Sequence, residues 1–203
     1  GQPTELERLQ LQSRVWEPAG RALLAQLPGG SGRRALDVGC GVLGWLRILS
    51  EWVGPGGSVV GSDIDDKMLA GARSFVEAEA LGNVALQKDD LFASQLPAGS
   101  FELVHSRFQI APLGRAPEQI NVYRRLVKPG GWVFFSTINR NAKAFVFAIV
   151  GAEHVLQLLP KGTHEYAKFI RPSELSAACR EANLAVVQTR GMEYNPLTER
   201  YWL

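Results

Sequence analysis

The stretch Asp37-Val38-Gly39-Cys40-Gly41-Val42-Leu43-Gly44 constrains this 203-residue chain more than any other part of it. Its glycines, at Gly-x-Gly-x-x-Gly spacing, follow an apolar run from Arg34 to Val38 and precede a helical one from Trp45 to Trp52. A strand that turns into a helix over such glycines brings bare backbone to the end of a sheet. The spacing predicts that Gly39 and Gly41 make a tight turn and admit a ligand, while Gly44 lets helix and sheet pack closely. A second apolar run from Ser58 ends at Asp63, about 20 residues past the turn, where a carboxylate can accept both hydroxyls of a ribose.

The rest of the chain continues the alternation. Helices are expected over Pro3 to Leu27, Asp65 to Ala80, Glu118 to Val127 and Pro172 to Ala182. Strands are expected over Val84 to Lys88, Phe101 to Ser106, Trp132 to Ser136 and Leu184 to Arg190, with a turn at Lys128-Pro129-Gly130-Gly131. Strands alternating with helices predict an α/β fold, a Rossmann-like, doubly wound and mostly parallel sheet in one domain over residues 1–203. After Pro196 the chain either begins a last strand that is cut short or leaves the sheet one strand fewer. An unpaired sheet edge of that kind invites a second copy, so a homo-oligomer is an expectation.

Composition narrows the function classes. With 46% hydrophobic and 21% charged residues the chain is an ordinary globular one. Its net charge of +2 counts against an extended nucleic-acid surface. Two cysteines, Cys40 and Cys179, make no disulfide framework and read as reduced thiols. No cationic, apolar leader opens the sequence, and the longest apolar stretch, Ala144 to Ala152, is short of the roughly 20 residues that cross a bilayer. A cytoplasmic protein is expected.

Leu36-Asp37-Val38-Gly39-Cys40-Gly41 resembles the signature of class I S-adenosylmethionine-dependent methyltransferases. A ligand carrying an ammonium and a sulfonium suits a carboxylate at Asp37, whereas a pyrophosphate would be repelled by it. The resemblance implies S-adenosylmethionine as cofactor, held along Gly39, Cys40, Gly41 and Gly44 and oriented by Asp37. It also implies that Asp63 takes the ribose, Ile64 flanks the adenine and Asp90, in Lys88-Asp89-Asp90-Leu91, takes the adenine amine. His105 and Ser106, closing the fourth strand, are expected to face the same crevice.

The second half resembles a more specific group, the ubiquinone-biosynthesis O-methyltransferases. The likeness is carried by Phe134 to Asn141, Val150 to His154, Pro160 to His164, Lys168 to Pro172 and Gly191 to Pro196. It implies methylation of a catechol hydroxyl on a polyprenylated ring, with His164 ranked first among the histidines as the base. That family carries a Glu-x-x-Glu-His cluster after the fourth strand, which supplies metal ligands. Here the matching stretch is Phe108-Gln109-Ile110-Ala111-Pro112, so no metal site is expected. The leading stretch Leu6 to Glu17 is similar to a different group of small-molecule methyltransferases, so the chain reads as a composite joined near Lys128 to Gly131.

The apolar segment from Asn139 to Glu165, with Lys143 and Lys161 near its ends, reads either as a lid over the cofactor or as peripheral membrane contact on the inner face. Three functions stay open on sequence: O-methylation of a hydroxylated aromatic, methylation of a nitrogen or carbon on another small molecule, and cofactor binding without turnover.

Overall fold

The computed structural model describes residues 16–142, 165–191, 193–195 and 200–202. The described residues begin with a helix at residues 16–24 (α1), then β1 (Arg34–Val38), α2 (Leu46–Val53), β2 (Ser58–Asp63), α3 (Asp66–Ala78) and β3 (Val84–Lys88). There follow β4 (Phe101–Arg107), α4 (Ile110–Leu113), α5 (Ala116–Leu126), β5 (Val127–Ser136), α6 (Pro172–Glu181), β6 (Glu193–Asn195) and β7 (Arg200–Trp202).

The five long strands form one sheet in the order β3-β2-β1-β4-β5, every neighbouring pair parallel. This is the open, doubly wound α/β sheet expected from the sequence. The strand order reverses between β1 and β4, and at such a point the connections leave in opposite directions and open a crevice at the carboxyl ends of the strands. Register then fixes what faces what: Asp37 lies opposite His105 on β4 and Gly61 on β2, and Val38 lies between Ser106 and Ser62.

Both faces of the sheet are covered. On one, Leu46, Ile48, Leu49 and Val53 of α2 and Leu69 and Ala72 of α3 pack with Leu24 onto Ala35, Val59 and Leu103. On the other, Tyr123 and Leu126 of α5 cover Leu36, Val38, Phe101 and Val104. Helix α6 lies against α5 through Ala178, Cys179, Ala182 and Ile120. Local chemistry sets the helix ends. The Asp65 carboxylate accepts from the N–H groups of Lys67 (2.7 Å) and Met68 (3.4 Å) at the start of α3. Glu174 accepts from the N–H of Arg171 at the start of α6, whose first residue is Pro172.

Three expectations change. Leu184 to Arg190 is not a strand: Leu184 donates its N–H back to Cys179 (2.8 Å), and the chain then runs exposed, with Val187 74% accessible. An apolar, β-branched run becomes a strand only with a ladder partner, and none pairs with it among the described residues. The tail does form strands, but β6 and β7 pair antiparallel with each other and not with the main sheet. The expected turn at Lys128 to Gly131 lies within β5: Val127 pairs with Phe101 and Trp132 with Leu103, so the residues between bulge out of the ladder.

The far face holds one polar chain. The phenol of Tyr123 lies 3.0 Å from both the Ser106 hydroxyl and Oε1 of Gln119, all three residues being buried. With a single proton, the phenol donates to the Gln119 carbonyl oxygen and accepts from Ser106. Burial pushes the phenol up to about 12, so it stays protonated. Tyr123→Phe strands two buried polar atoms and is expected to cost about 1–3 kcal/mol. Urea titration with an unchanged slope and a lower midpoint would report it.

Candidate active site

The glycine turn is built by three left-handed residues, Gly39 (φ 63°), Gly41 (φ 55°) and Gly44 (φ 46°). Two of them are glycine because the protein's own side chains press on them. A Cβ on Gly44 would stand 2.1 Å from Oδ2 of Asp37, and one on Gly39 would stand 2.2 Å from Nε2 of Gln109. Above Gly41 there is open space, with nothing within 4 Å of a Cβ placed there. Gly41 is therefore the point where bare backbone meets the crevice. The close helix–sheet packing expected of Gly44 belongs instead to Gly61, whose missing Cβ makes room for Leu46 and Leu86.

Asp63 ties this turn to the end of β2. Its Oδ2 accepts from the N–H of Gly41 at 2.9 Å, and its Oδ1 accepts from the N–H of Asp65 at 3.0 Å. The N–H of Cys40 donates to the Ser62 carbonyl at 2.9 Å, which stitches the two strand ends together one residue earlier. Cys40 itself is buried, and burial raises its thiol far above the ordinary range, so the side chain is a core group beneath the turn.

Asp37 stands differently from the expectation. It is 1% exposed, and both oxygens are engaged: Oδ2 accepts from the N–H of Trp45 (2.6 Å), and Oδ1 meets Nδ1 of His105 (2.7 Å). A carboxylate accepts, so Nδ1 carries the imidazole proton. The Trp45 ring stacks on His105 with centroids 3.8 Å apart. His105 and Ser106 do not line the crevice: His105 is covered by Trp45, and Ser106 belongs to the Tyr123 chain. Asp37 and His105 hold the glycine turn from below.

The outer residues lie along the strand ends. Ile64 is 60% exposed just beyond Asp63, an apolar side chain turned to solvent at the crevice rim. Asp63 is in register with Lys88, and its carbonyl accepts from the N–H of Asp89 (3.0 Å). Asp90 caps the short 3-10 turn Leu91–Ala93 through the N–H of Phe92, leaving its second oxygen outside that bond. Leu91 is half-buried beside the far-face core.

Sequence reasoning missed Gln109, which covers Gly39 because Phe108, at φ 56°, bends the chain back as β4 ends. A bulky residue at positive φ was the one available signal, and sequence does not display φ. His164 and His154 lie outside the described residues. Residues 108–112 place no carboxylate or imidazole at the crevice, and no group of three or more His, Cys, Asp or Glu suited to a metal occurs among the described residues.

Residues 10–189 match the family model described as a methyltransferase domain. A ubiquinone biosynthesis O-methyltransferase of Paracidovorax citrulli is 51% identical over 177 residues, covering 85% of this chain and 71% of that protein. Its counterpart in Acinetobacter baylyi is 44% identical, covering 86% and 73%. The chain belongs to the ubiquinone biosynthesis O-methyltransferases. It is an S-adenosylmethionine-dependent methyltransferase.

Solved structures agree on the fold of this methyltransferase. An S-adenosylmethionine-dependent methyltransferase of Aquifex aeolicus superposes with a TM-score of 0.65 at 18% identity, covering 90% of this chain and 86% of that one. A phosphoethanolamine N-methyltransferase of Haemonchus contortus, solved with S-adenosylmethionine, gives 0.62 at 24% identity, covering 82% and 36%. The family relation spans 85% of the chain and so runs through both sides of the Lys128 to Gly131 bulge.

In the methyltransferase the Asp37–His105 pair makes the turn sensitive to acid. Burial holds His105 below its ordinary value, although Asp37 pulls the other way, so the folded imidazole is neutral where the unfolded one binds a proton. The folded state then loses stability as pH falls below about 6.5, with a ceiling of about 1.4 kcal/mol per pH unit for one proton. His105→Asn, which keeps a donor for Asp37 and cannot titrate, is expected to lose less between pH 7.5 and 5.5. Urea unfolding at both values checks this, and equal losses in both proteins refute it.

Proposed function

We propose that this methyltransferase transfers the methyl group of S-adenosylmethionine to a phenolic oxygen of a catechol-type ring on a polyprenylated ubiquinone precursor. The observation that carries the cofactor half is the open backbone at Gly41, held by the Asp63 carboxylate at 2.9 Å where the sheet order reverses. The family supports the acceptor half.

In this reading Asp63 receives the ribose hydroxyls, Ile64 flanks the adenine and Asp90 takes its amine, with Leu91 beside it. The backbone of Gly39, Cys40, Gly41 and Gly44 runs along the methionyl part. When bound, the cofactor supplies a methyl group on a sulfonium, ready for in-line displacement. The chain's task is then to align, to exclude water and to receive the proton of the attacking hydroxyl. His164 is our candidate for that proton, outside the described residues. The composite reading bears on the acceptor side, where residues 108–112 lack the carboxylates and imidazole that the resemblance implies. Those same residues favour a second reading, a different small-molecule acceptor.

Incubation with S-adenosylmethionine and a soluble catechol is expected to give a mono-methyl ether by mass spectrometry. Asp63→Ala should weaken S-adenosylhomocysteine binding at least tenfold in calorimetry, about 1.4 kcal/mol, with the fold intact. Binding of that nucleoside without methylation of any catechol would end the O-methylation reading.

We also propose peripheral contact with a bilayer through the segment 139–165, of which residues 143–164 lie outside the described residues. No helix among the described residues is long and apolar enough to cross a membrane. The protein should float with anionic liposomes, and Phe145→Asp combined with Phe147→Asp should abolish flotation. A wild type that stays at the bottom of the gradient removes the idea.

A further inference from the structure

We propose that Arg107 and Ser136, at the carboxyl ends of β4 and β5, form a carboxylate-binding subsite of the active site. The inference rests on the methyl-transfer reading above. Arg107 and Ser136 are direct partners in the parallel register. Parallel neighbours in register send their side chains to the same face, so the guanidinium stem and the hydroxyl leave the sheet together. One step back on that face stand His105 and Phe134, both against Trp45. The pair therefore lies beyond the Trp45 stack, at the open end of the sheet beside the glycine turn.

These groups are enclosed without partners. Nη1 of Arg107, Oγ of Ser136 and Oγ1 of Thr137, the next residue, are all buried and make no hydrogen bond among the described residues. Nε1 of Trp45 is in the same condition. Buried polar atoms in native proteins are nearly always paired, and two orphans on register partners, Arg107 and Ser136, point to an acceptor that a ligand would supply. The backbone next to Arg107 is strained as well, since Phe108 is a bulky residue at φ 56°.

The chemistry of the acceptor follows from the charges. A guanidinium with a neighbouring hydroxyl fits a planar carboxylate, taken through two parallel N–H bonds or one N–H and one O–H. Asp37 and Glu17 both act on Arg107 through space, but Asp37 commits its oxygens to Trp45 and His105, and Glu17 pairs with Arg47 at 2.6 Å. Their negative charge partly offsets the guanidinium and disfavours a dianionic phosphate, which leaves a monoanion. Two ligands of this reaction could bring it: the methionyl end of the cofactor, or a carboxyl substituent on the acceptor ring.

Calorimetry on the full chain separates them. Wild type, Arg107→Gln and Arg107→Lys are titrated with S-adenosylhomocysteine and its decarboxylated analogue. They are then titrated with 3,4-dihydroxybenzoate and catechol in the presence of S-adenosylhomocysteine. Wild type is expected to prefer the carboxylate-bearing member of one pair at least tenfold. Arg107→Gln should abolish that preference while changing the carboxylate-free partner less than twofold, and Arg107→Lys should keep part of it. A preference in the first pair assigns the carboxylate to the cofactor, and one in the second assigns it to the acceptor. If Arg107→Gln does not fold, Ser136→Ala must reduce the preference at least threefold. Wild type showing no preference in either pair overturns the subsite without any variant, as does a folded Arg107→Gln that keeps the preference. A wild type that binds no nucleoside sinks the methyl-transfer reading and the subsite with it, whereas equal binding within both pairs sinks the subsite alone.

Discussion

The carboxylate of Asp37 is the constraint on which the site depends. It stands at 1% exposure between β1 and β4, where an unpaired charge would be very costly. Two groups satisfy it, the N–H of Trp45 just ahead of α2 and the Nδ1–H of His105 across the strand pair. Each obligation has a geometric consequence. Reaching the Trp45 N–H pulls the chain so close that residue 44 has no room for a Cβ. Reaching His105 requires the β1–β4 register, which also brings the strand ends level at the point where the sheet order reverses. The glycine turn is thus the shape the backbone takes when it closes over a buried acid.

A second carboxylate works from the opposite side. Asp63 is only partly buried, and it grips the turn from above through the Gly41 N–H. The turn is held between an acid that is internal and one that faces the crevice. The two cannot exchange roles. Asp37 is fully enclosed with both oxygens bonded, whereas Asp63, also bonded through both oxygens, is only partly buried and keeps acceptor capacity for a further donor. This division explains why the two acids beside the glycine turn have such different environments although both lie at the carboxyl end of a strand.

The strands and helices from β1 through α3 were legible in the sequence because each signal was local. Apolar runs, the Asp65 cap and glycine punctuation mark β1 through α3 without reference to the rest of the chain. The positions of Gly39, Gly41, Gly44 and Asp63 were legible for the same reason. What sequence did not carry was the direction of side chains. Asp37 looked like a ligand-facing acid, since spacing says where a residue falls along a strand and not whether a neighbour such as Trp45 will cover it. His105 was misplaced on the crevice wall because its stack on Trp45 depends on the β1–β4 register. Leu184 to Arg190 has the composition of a strand, but a strand is a pairing, and composition holds no partner. Gln109 was hidden by the left-handed Phe108, a conformation that no pattern of residue types announces.

The glycine turn with its two acids and the Arg107–Ser136 pair lie at the ends of different strands. The turn, Asp63, Ile64 and the Asp89–Asp90 edge are contributed by β1, β2 and β3. Arg107, Phe108, Gln109, Ser136 and Thr137 come from the ends of β4 and β5. Among these residues Gln109 reaches across and covers Gly39. Substitutions at 108–112 leave the acids that hold the turn their partners, because Asp37 bonds the Trp45 N–H and His105, and Asp63 bonds the N–H groups of Gly41 and Asp65. A parallel sheet makes this modular: each strand brings its own loop to the same edge, and the loops meet only through what lies between them. The residues at two strand ends can change while the glycine turn and its acids stay fixed at the other three.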